Sequence, residues 1–183
     1  MKINNFLTFV ILLLSTTLAS QAWAQDQEQI KLAQQYDDKG EIEKAKSIYD
    51  ELAEKKEYVP IIHGRYFRLL VNNGYLEDAE KYMKKTLRNF PGNIIYRLDA
   101  GILQDRMGEE NAANEYYAEV LSEVQNDPYK IRLVASHFIK SDMLEKAINS
   151  YQSGREANQD PNLFALELAN VYRRLNEKDK MVL

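Results

Sequence analysis

The residues that could support catalysis or bind a metal ion are few and widely separated. The chain has two histidines, His63 and His137, and no cysteine, whereas metal sites need clustered ligands. No serine has the surroundings of an activated nucleophile, and Gly92 and Gly101 lack the spacing of a phosphate-binding loop. The sequence therefore predicts no catalytic residue, no metal site and no cofactor, and we do not expect an enzyme.

Two carboxylate pairs could in principle supply a general acid and a general base. They are Asp37 with Asp38, and Asp99 with Asp105. Both pairs lie in segments with helical periodicity, so we interpret them as solubilising or groove charges. His137 lies among apolar residues, and we interpret it as a packed or surface histidine.

A period of 34 residues organises the chain that carries these groups. One alanine recurs at this spacing four times, and neighbouring positions keep their character from copy to copy, being small, apolar, turn-forming or large. A fixed period in this range is typical of stacked helical repeats. The five sets are Ala45, Ala79, Ala113, Ala147; Ala33, Phe67, Gly101, Ala135; Tyr36, Leu70, Gln104, Phe138; Gly40, Gly74, Gly108, Asp142; and Tyr49, Met83, Tyr117, Tyr151.

Each copy reads as two helices joined by a short turn. Apolar residues recur three and four apart, which is helical spacing, and the position of Gly40 between two such runs suits a turn with positive φ. The prolines at 60, 91, 128 and 161 fall at the joins between copies, where they do not interrupt a helix. No segment shows a sustained alternation of apolar and polar residues with period two, so we predict no sheet.

This pattern resembles the tetratricopeptide repeat family, through Leu32-Ala33, Tyr36, Gly40, Ala45, Tyr49 and their equivalents every 34 residues. The resemblance implies an all-α fold, a right-handed α-solenoid of helix-turn-helix tetratricopeptide repeats. It predicts four full repeats, at about 26–59, 60–93, 94–127 and 128–161, and a partial fifth at 162–183. Five residues depart from the family pattern, so we expect altered packing, especially around the third copy. They are Phe67, Gln104, Glu110, Gly154 and Lys178.

The first 24 residues predict an exported protein. Lys2 precedes an apolar run, Phe6 to Leu14, and Ala22-Trp23-Ala24 matches a signal-peptide cleavage pattern before Gln25. An uncleaved membrane anchor is the alternative, although the run is shorter than the ~20 residues that span a bilayer. We expect a bacterial periplasmic protein whose mature chain, 25–183, is one repeat domain; an extracellular destination is the alternative.

Composition does not favour nucleic acid as a partner. Removal of residues 1–24 takes away one basic residue, Lys2, and changes the net charge from −4 to −5. The two signs are interspersed, whereas a nucleic-acid-binding domain usually has a basic face. We therefore expect the partner to be a protein or a peptide.

The family resemblance implies that first helices line a groove in which a partner binds. The groove residues that this predicts are Lys31, Gln34, Ile61, Arg65, Arg68, Ile95, Asp99, Tyr129 and Arg132. A peptide or short helix could cover the apolar members while its acidic groups pair with the arginines. The alternative is that these residues only solvate the groove. Some members of this family bind a free C-terminal carboxylate through basic and amide side chains at set groove positions. We do not expect such a site here, because Arg65 is the only residue at the corresponding positions that could serve.

The fifth copy is incomplete. Its first helix is predicted from Leu163 to Leu175, and the expected second helix is missing. We therefore expect the apolar face of this helix, with Leu166, Leu168, Ala169 and Tyr172, to be exposed. Three explanations compete, namely a longer repeat protein, self-association through this face, or fraying of the last helix, and we favour the first. The function we predict is a non-catalytic scaffold of the bacterial cell envelope. The alternative is that a catalytic or effector part lies beyond residue 183.

Overall fold

The computed structural model describes residues 23–175, which form α-helices joined by short turns, with no strand among them. Helix α1 comprises residues 23–38. The following helices are α2 (Ile42–Ala53), α3 (Val59–Asn72), α4 (Leu76–Asn89), α5 (Ile94–Met107), α6 (Glu110–Val124), α7 (Pro128–Lys140), α8 (Leu144–Asn158) and α9 (Ala165–Arg174). Odd-numbered helices are the first helices of the repeats and even-numbered helices the second.

The described residues divide into two compact units, and the boundary falls between Ala79 and Glu80, within α4. In the first unit, α2 packs against α3. In the second unit, α5 packs on α6, α7 on α8, and α9 on α8, while α5 also neighbours α7. The prediction of an all-α helical repeat fold is confirmed for the described residues.

The conserved character of the repeat positions has a packing cause. The four alanines at 45, 79, 113 and 147 are completely buried, and a small side chain at such a place lets two helices approach closely. The large residues four positions later, at 49, 83, 117 and 151, are also buried. Burial of each such large side chain stabilises the fold by about 1.5–3 kcal/mol, so this position supplies much of the core.

The turns within the repeats share one geometry. Gly40, Gly74 and Gly108 have φ of 72°, 80° and 83°, and Asp142 at the fourth equivalent position has φ of 59°. The next residue donates its N–H to a carbonyl five positions back in the first helix, as Glu109 does to Gln104 at 2.9 Å. This bond satisfies a helix-terminal carbonyl, and it confirms the predicted turns.

The beginnings of two first helices are fixed by capping side chains. Asn93 accepts a hydrogen bond from the N–H of Tyr96 at 3.2 Å. Asp127 accepts one from the N–H of Tyr129 at 3.0 Å, and Pro128 occupies the first turn of α7. Such caps satisfy N–H groups that have no partner within the helix, so α5 and α7 begin at defined residues.

The fifth first helix begins later than its sequence periodicity predicts. It starts at Ala165 instead of Leu163, because Phe164 has φ of 62°. The ring of Phe164 is buried and lies 5.0 Å from that of Tyr151. Packing of this ring holds the backbone in a region that large side chains rarely adopt.

Two sequence predictions extend beyond the described residues. The signal peptide falls on residues 1–24, of which only Trp23 and Ala24 are described, at the start of α1. The end of the partial fifth repeat, residues 176–183, also lies outside them. Among the described helices, none is both long and apolar enough to cross a bilayer.

Candidate partner-binding surfaces

In the first unit, the predicted groove residues lie on α1 and α3. Lys31 and Arg68 are exposed, Gln34 is partly exposed, and the side chain of Ile61 is 53% exposed. Gly64 lies one turn after Ile61, and no atom of the fold lies within 4 Å of the place where its Cβ would be. We call these residues of α1 and α3 the α1–α3 surface.

Arg65 on this surface already has intramolecular partners. Its Nη1 donates to Oδ1 of Asp38 at 2.7 Å and to Oδ2 of Asp37 at 3.2 Å. Hydrogen bonding to Asp38 raises the pKa of Arg65 further above its ordinary value. The Asp37–Asp38 pair therefore links the end of α1 to α3, and its role is structural.

In the second unit, Asp99 is not at a surface. It is 4% exposed, and its Oδ1 lies 2.7 Å from Nε2 of His137. The prediction that Asp99 is a groove residue is wrong, because α5 is buried on most sides, including every residue from 98 to 103. A buried carboxylate needs a hydrogen-bonding partner, and His137, partly buried as the sequence suggested, provides one from α7.

The remaining predicted residues of the second unit are Ile95, Tyr129 and Arg132. Ile95 is partly exposed, and Tyr129 is 77% exposed. Arg132 donates its Nε–H to Oε1 of Glu167 on α9 at 2.7 Å. Its guanidinium carbon lies 5.0 Å from the centre of the Phe164 ring, in the range of cation–π contacts.

The ion pair with Arg132 affects the pKa of Glu167. Burial alone would raise the pKa of its carboxyl group, but the hydrogen bond and the charge of Arg132 outweigh burial, so the pKa lies below its ordinary value. Glu167 is therefore a carboxylate at neutral pH, and the Arg132–Glu167 ion pair joins α7 to α9.

Two further exposed apolar residues lie in this region, and sequence reasoning missed one of them, Leu133. Leu133 is 41% exposed and follows Arg132, and Leu166 is 80% exposed and precedes Glu167. Periodicity could have indicated Leu133, which is one period after Asp99. We call Tyr129, Arg132, Leu133, Leu166 and Glu167 the α7–α9 surface.

The predicted unfinished end of the array is smaller than the sequence suggested. Leu168 and Tyr172 were expected on an open face of the last helix, but they are 1% and 4% exposed, respectively. The buried side of α9 packs against α8. Leu166 is the large apolar residue of α9 that remains at the surface.

The described residues contain no cluster of three or more histidine, cysteine or acidic side chains suited to a metal ion. A depression of about 590 Å³ beside the α8–α9 turn is open to solvent. It is lined by Gln152, Arg155, Glu156, Gln159, Asp160 and Pro161.

Comparison with known proteins leaves the family open but supports the fold. No protein-family model and no curated protein matches the chain. A solved structure described as "MamA RS-1 ArsTM double mutant" is 18% identical, covers 85% of this chain and 88% of its own, and has a TM-score of 0.50. "MamA 41-end from Desulfovibrio magneticus RS-1" has the same identity and coverage and a TM-score of 0.49. The first of these likenesses supports a tetratricopeptide-like helical repeat fold for this chain.

Proposed function

We propose that this chain is a non-catalytic scaffold that binds another protein, or a peptide segment of one, through exposed faces of its first helices. One observation carries the proposal. Every large apolar side chain that is exposed within residues 23–175 belongs to a first helix. They are Trp23, Ile61, Met107, Tyr129, Leu133 and Leu166, of which Trp23 precedes the proposed cleavage site and would be absent from the mature chain.

The second helices provide the contrast. In α2, α4, α6 and α8 the large apolar residues are buried or only partly exposed, and the exposed positions are mainly charged or polar. Isolated exposed apolar residues are ordinary on protein surfaces, but their restriction to one class of helix is not expected from solubility alone. Exposed apolar side chains that are concentrated in one class of helix favour a partner-binding role.

The proposed setting is the bacterial cell envelope, and it rests on the sequence of residues 1–24. A chain exported through such a signal would act in the periplasm and would meet protein partners there. The net charge of −4 adds no support for nucleic acid as an alternative. Export predicts a mature protein that begins at Gln25, which N-terminal sequencing of the protein from the periplasmic fraction would test.

Crosslinking in living cells tests the proposed binding. A C-terminally tagged chain is crosslinked in its native envelope, and the captured proteins are identified by mass spectrometry. We expect one dominant partner, lost in Ile61→Asp or Tyr129→Asp, because a buried carboxylate without a partner opposes binding.

The matched control is Ala118→Asp, which places the same charge at an exposed position of the second helix α6. Capture should survive this change. Apolar positions are preferable to Arg65 and Arg132 because charge reversal there would also break intramolecular bonds. If capture is absent, yields only copies of this chain, or is unaffected by both first-helix substitutions, the proposed scaffold is wrong.

A further inference from the structure

Arg132 is held in place before any partner arrives. Glu167 accepts the hydrogen bond from its Nε–H, and the guanidinium carbon lies 5.0 Å from the centre of the Phe164 ring. The side chain is nevertheless 49% exposed. A side chain already fixed in one orientation loses little conformational entropy on binding, so Arg132 is preorganised for a contact.

The outer edge of this guanidinium group has unused donors. Its Nε–H is bonded to Glu167, and within the described residues neither Nη group has a protein acceptor. The geometry of the two Nη groups matches the two oxygens of a carboxylate. Arg132 can therefore keep its bond to Glu167 and also receive an acidic group from outside.

The charges on the helices of this surface have one predominant sign. Helix α7 carries Lys130, Arg132 and Lys140 and has no aspartate or glutamate within it, and Nζ of Lys130 lies 3.9 Å from Oδ2 of the N-cap residue Asp127. Helix α9 carries two arginines, of which Arg174 pairs with Asp142, and one acid, Glu167, which pairs with Arg132. This balance is opposite in sign to the chain as a whole, which has a net charge of −4. A partner segment attracted to this surface should therefore be acidic.

Apolar side chains surround the arginine. Tyr129 and Leu133 are one turn apart on α7, on either side of Arg132 in sequence, and Leu166 lies beside Glu167 on α9. Their exposed fractions are 77%, 41% and 80%. Cover from apolar side chains of a partner would exclude water and strengthen a charged hydrogen bond at the centre.

We propose that the α7–α9 surface binds an acidic protein segment, one carboxylate of which docks on the outer edge of Arg132 while neighbouring apolar side chains cover Tyr129, Leu133 and Leu166. This inference rests on the proposed scaffold function and adds the chemistry of the partner. It also assigns the site to two neighbouring first helices, α7 and α9, and includes Leu133 and Leu166.

A random peptide library tests this chemistry without a known partner. The full mature chain is panned against phage-displayed 12-residue random peptides, with prior depletion on the Leu133→Gln/Leu166→Gln variant. We expect the enriched peptides to combine aspartate or glutamate with leucine, phenylalanine or methionine. Synthetic copies should bind more weakly at high salt, because charge attraction is screened.

Substitutions then locate the contact by fluorescence anisotropy. Arg132→Gln should weaken binding of the enriched peptides about tenfold or more, since a hydrogen bond between charged groups is lost. Arg132→Lys should recover only part of the affinity, because lysine lacks the planar pair of donors. Lys84→Gln, which removes the same charge from the exposed face of α4, is the matched control and should bind normally. Circular dichroism confirms that each variant remains folded.

Several results would overturn the inference. Enrichment of basic or uncharged peptides that bind the Arg132→Gln variant equally well removes the acidic-segment chemistry but leaves the scaffold function standing. Failure to enrich any peptide also rejects the inference, while crosslinking in the envelope decides the scaffold function separately. Binding of a labelled single-stranded oligonucleotide that depends on Tyr129 and Arg132 would assign the surface to a different class of ligand.

Discussion

Tyr49 and Tyr117 occupy the same position of their repeats, but their hydroxyl groups have different surroundings. Tyr49 is completely buried, and its hydroxyl group has no hydrogen-bond partner among the described residues. Tyr117 donates its O–H to Oδ2 of Asp105 at 2.8 Å. Burial raises the pKa of Tyr49 to about 12. Burial, together with the bond to Asp105, raises that of Tyr117 as well. The repeat pattern keeps the tyrosine ring in both repeats, but the hydrogen-bond partner of the hydroxyl group depends on neighbouring residues that differ between them.

Removal of these two hydroxyl groups should have opposite effects on stability. We expect Tyr117→Phe to lower the free energy of unfolding by about 1 kcal/mol, because a hydrogen bond is lost and Asp105 loses a partner. Tyr49→Phe should leave the stability unchanged or raise it, because it removes a buried polar group that has no partner. Urea denaturation followed by circular dichroism at 222 nm measures both. An equal loss in the two variants would contradict this account.

At the scale of the helices, the third repeat shows why a glycine occupies the small position of its first helix. A Cβ atom added to Gly101 on α5 would lie 2.4 Å from Cε1 of Tyr117 on α6. The ring of Tyr117 is itself held edge-on against Phe138, with centroids 5.1 Å apart. Glycine is therefore needed here for close approach of α5 and α6, and not for an unusual φ.

Two glycine-to-alanine substitutions separate this packing role from helix propensity. Gly101→Ala should destabilise the protein by about 1–3 kcal/mol, because the crowded core must rearrange. Gly64→Ala is the control, since it lies within α3 with open space around it. It should stabilise the protein by about 0.5–1 kcal/mol through the better helix propensity of alanine.

Thermal and urea unfolding of both glycine variants would check this contrast. The crystal structure of the Gly101→Ala variant would show a displaced Tyr117 ring. A Gly101→Ala protein as stable as the Gly64→Ala protein would show that α5 and α6 can separate at little cost.

The sequence predicted those features that depend on spacing along one chain. The helices, the turn glycines and the buried alanines follow from a repeat of 34 residues. It could not predict that Asp99 meets His137, or that Arg132 meets Glu167, because each pair joins different helices. The αL conformation of Phe164 was also out of reach, since that backbone is maintained by packing in three dimensions. The exposed apolar residues were predicted only in part, since the sequence identified Ile61 and Tyr129 but not Leu133.

For the molecule as a whole, tyrosine burial controls the response to alkaline pH. The chain has 12 tyrosines and no cysteine, so no disulfide contributes to its stability. Burial raises the pKa of Tyr82, Tyr96 and Tyr151 in addition to those of Tyr49 and Tyr117. In an unfolded chain these phenols would ionise near pH 10.

The sign of the pH effect follows from proton binding. Above pH 10 the folded chain retains phenolic protons that the unfolded chain releases, so stability should fall as the pH rises. We expect tyrosinate absorbance at 295 nm to appear in two steps, the second together with loss of the helical signal at 222 nm. In concentrated urea one step near pH 10 is expected. Ionisation of all tyrosines near pH 10 with the helical signal intact would contradict the burial described here.

The fit between Gly101 and Tyr117 also bears on how such a chain can be recombined. If the second helix of another repeat replaced α6, Gly101 would no longer face the Tyr117 ring that it accommodates. If a first helix with phenylalanine or alanine at this position replaced α5, that side chain would clash with the Tyr117 ring. The exchangeable module is therefore the hairpin of two helices, and viable crossover points fall at the proline-bearing joins. Because the two helices of one hairpin fit each other, shuffling of whole hairpins should yield folded chimaeras more often than shuffling of single helices.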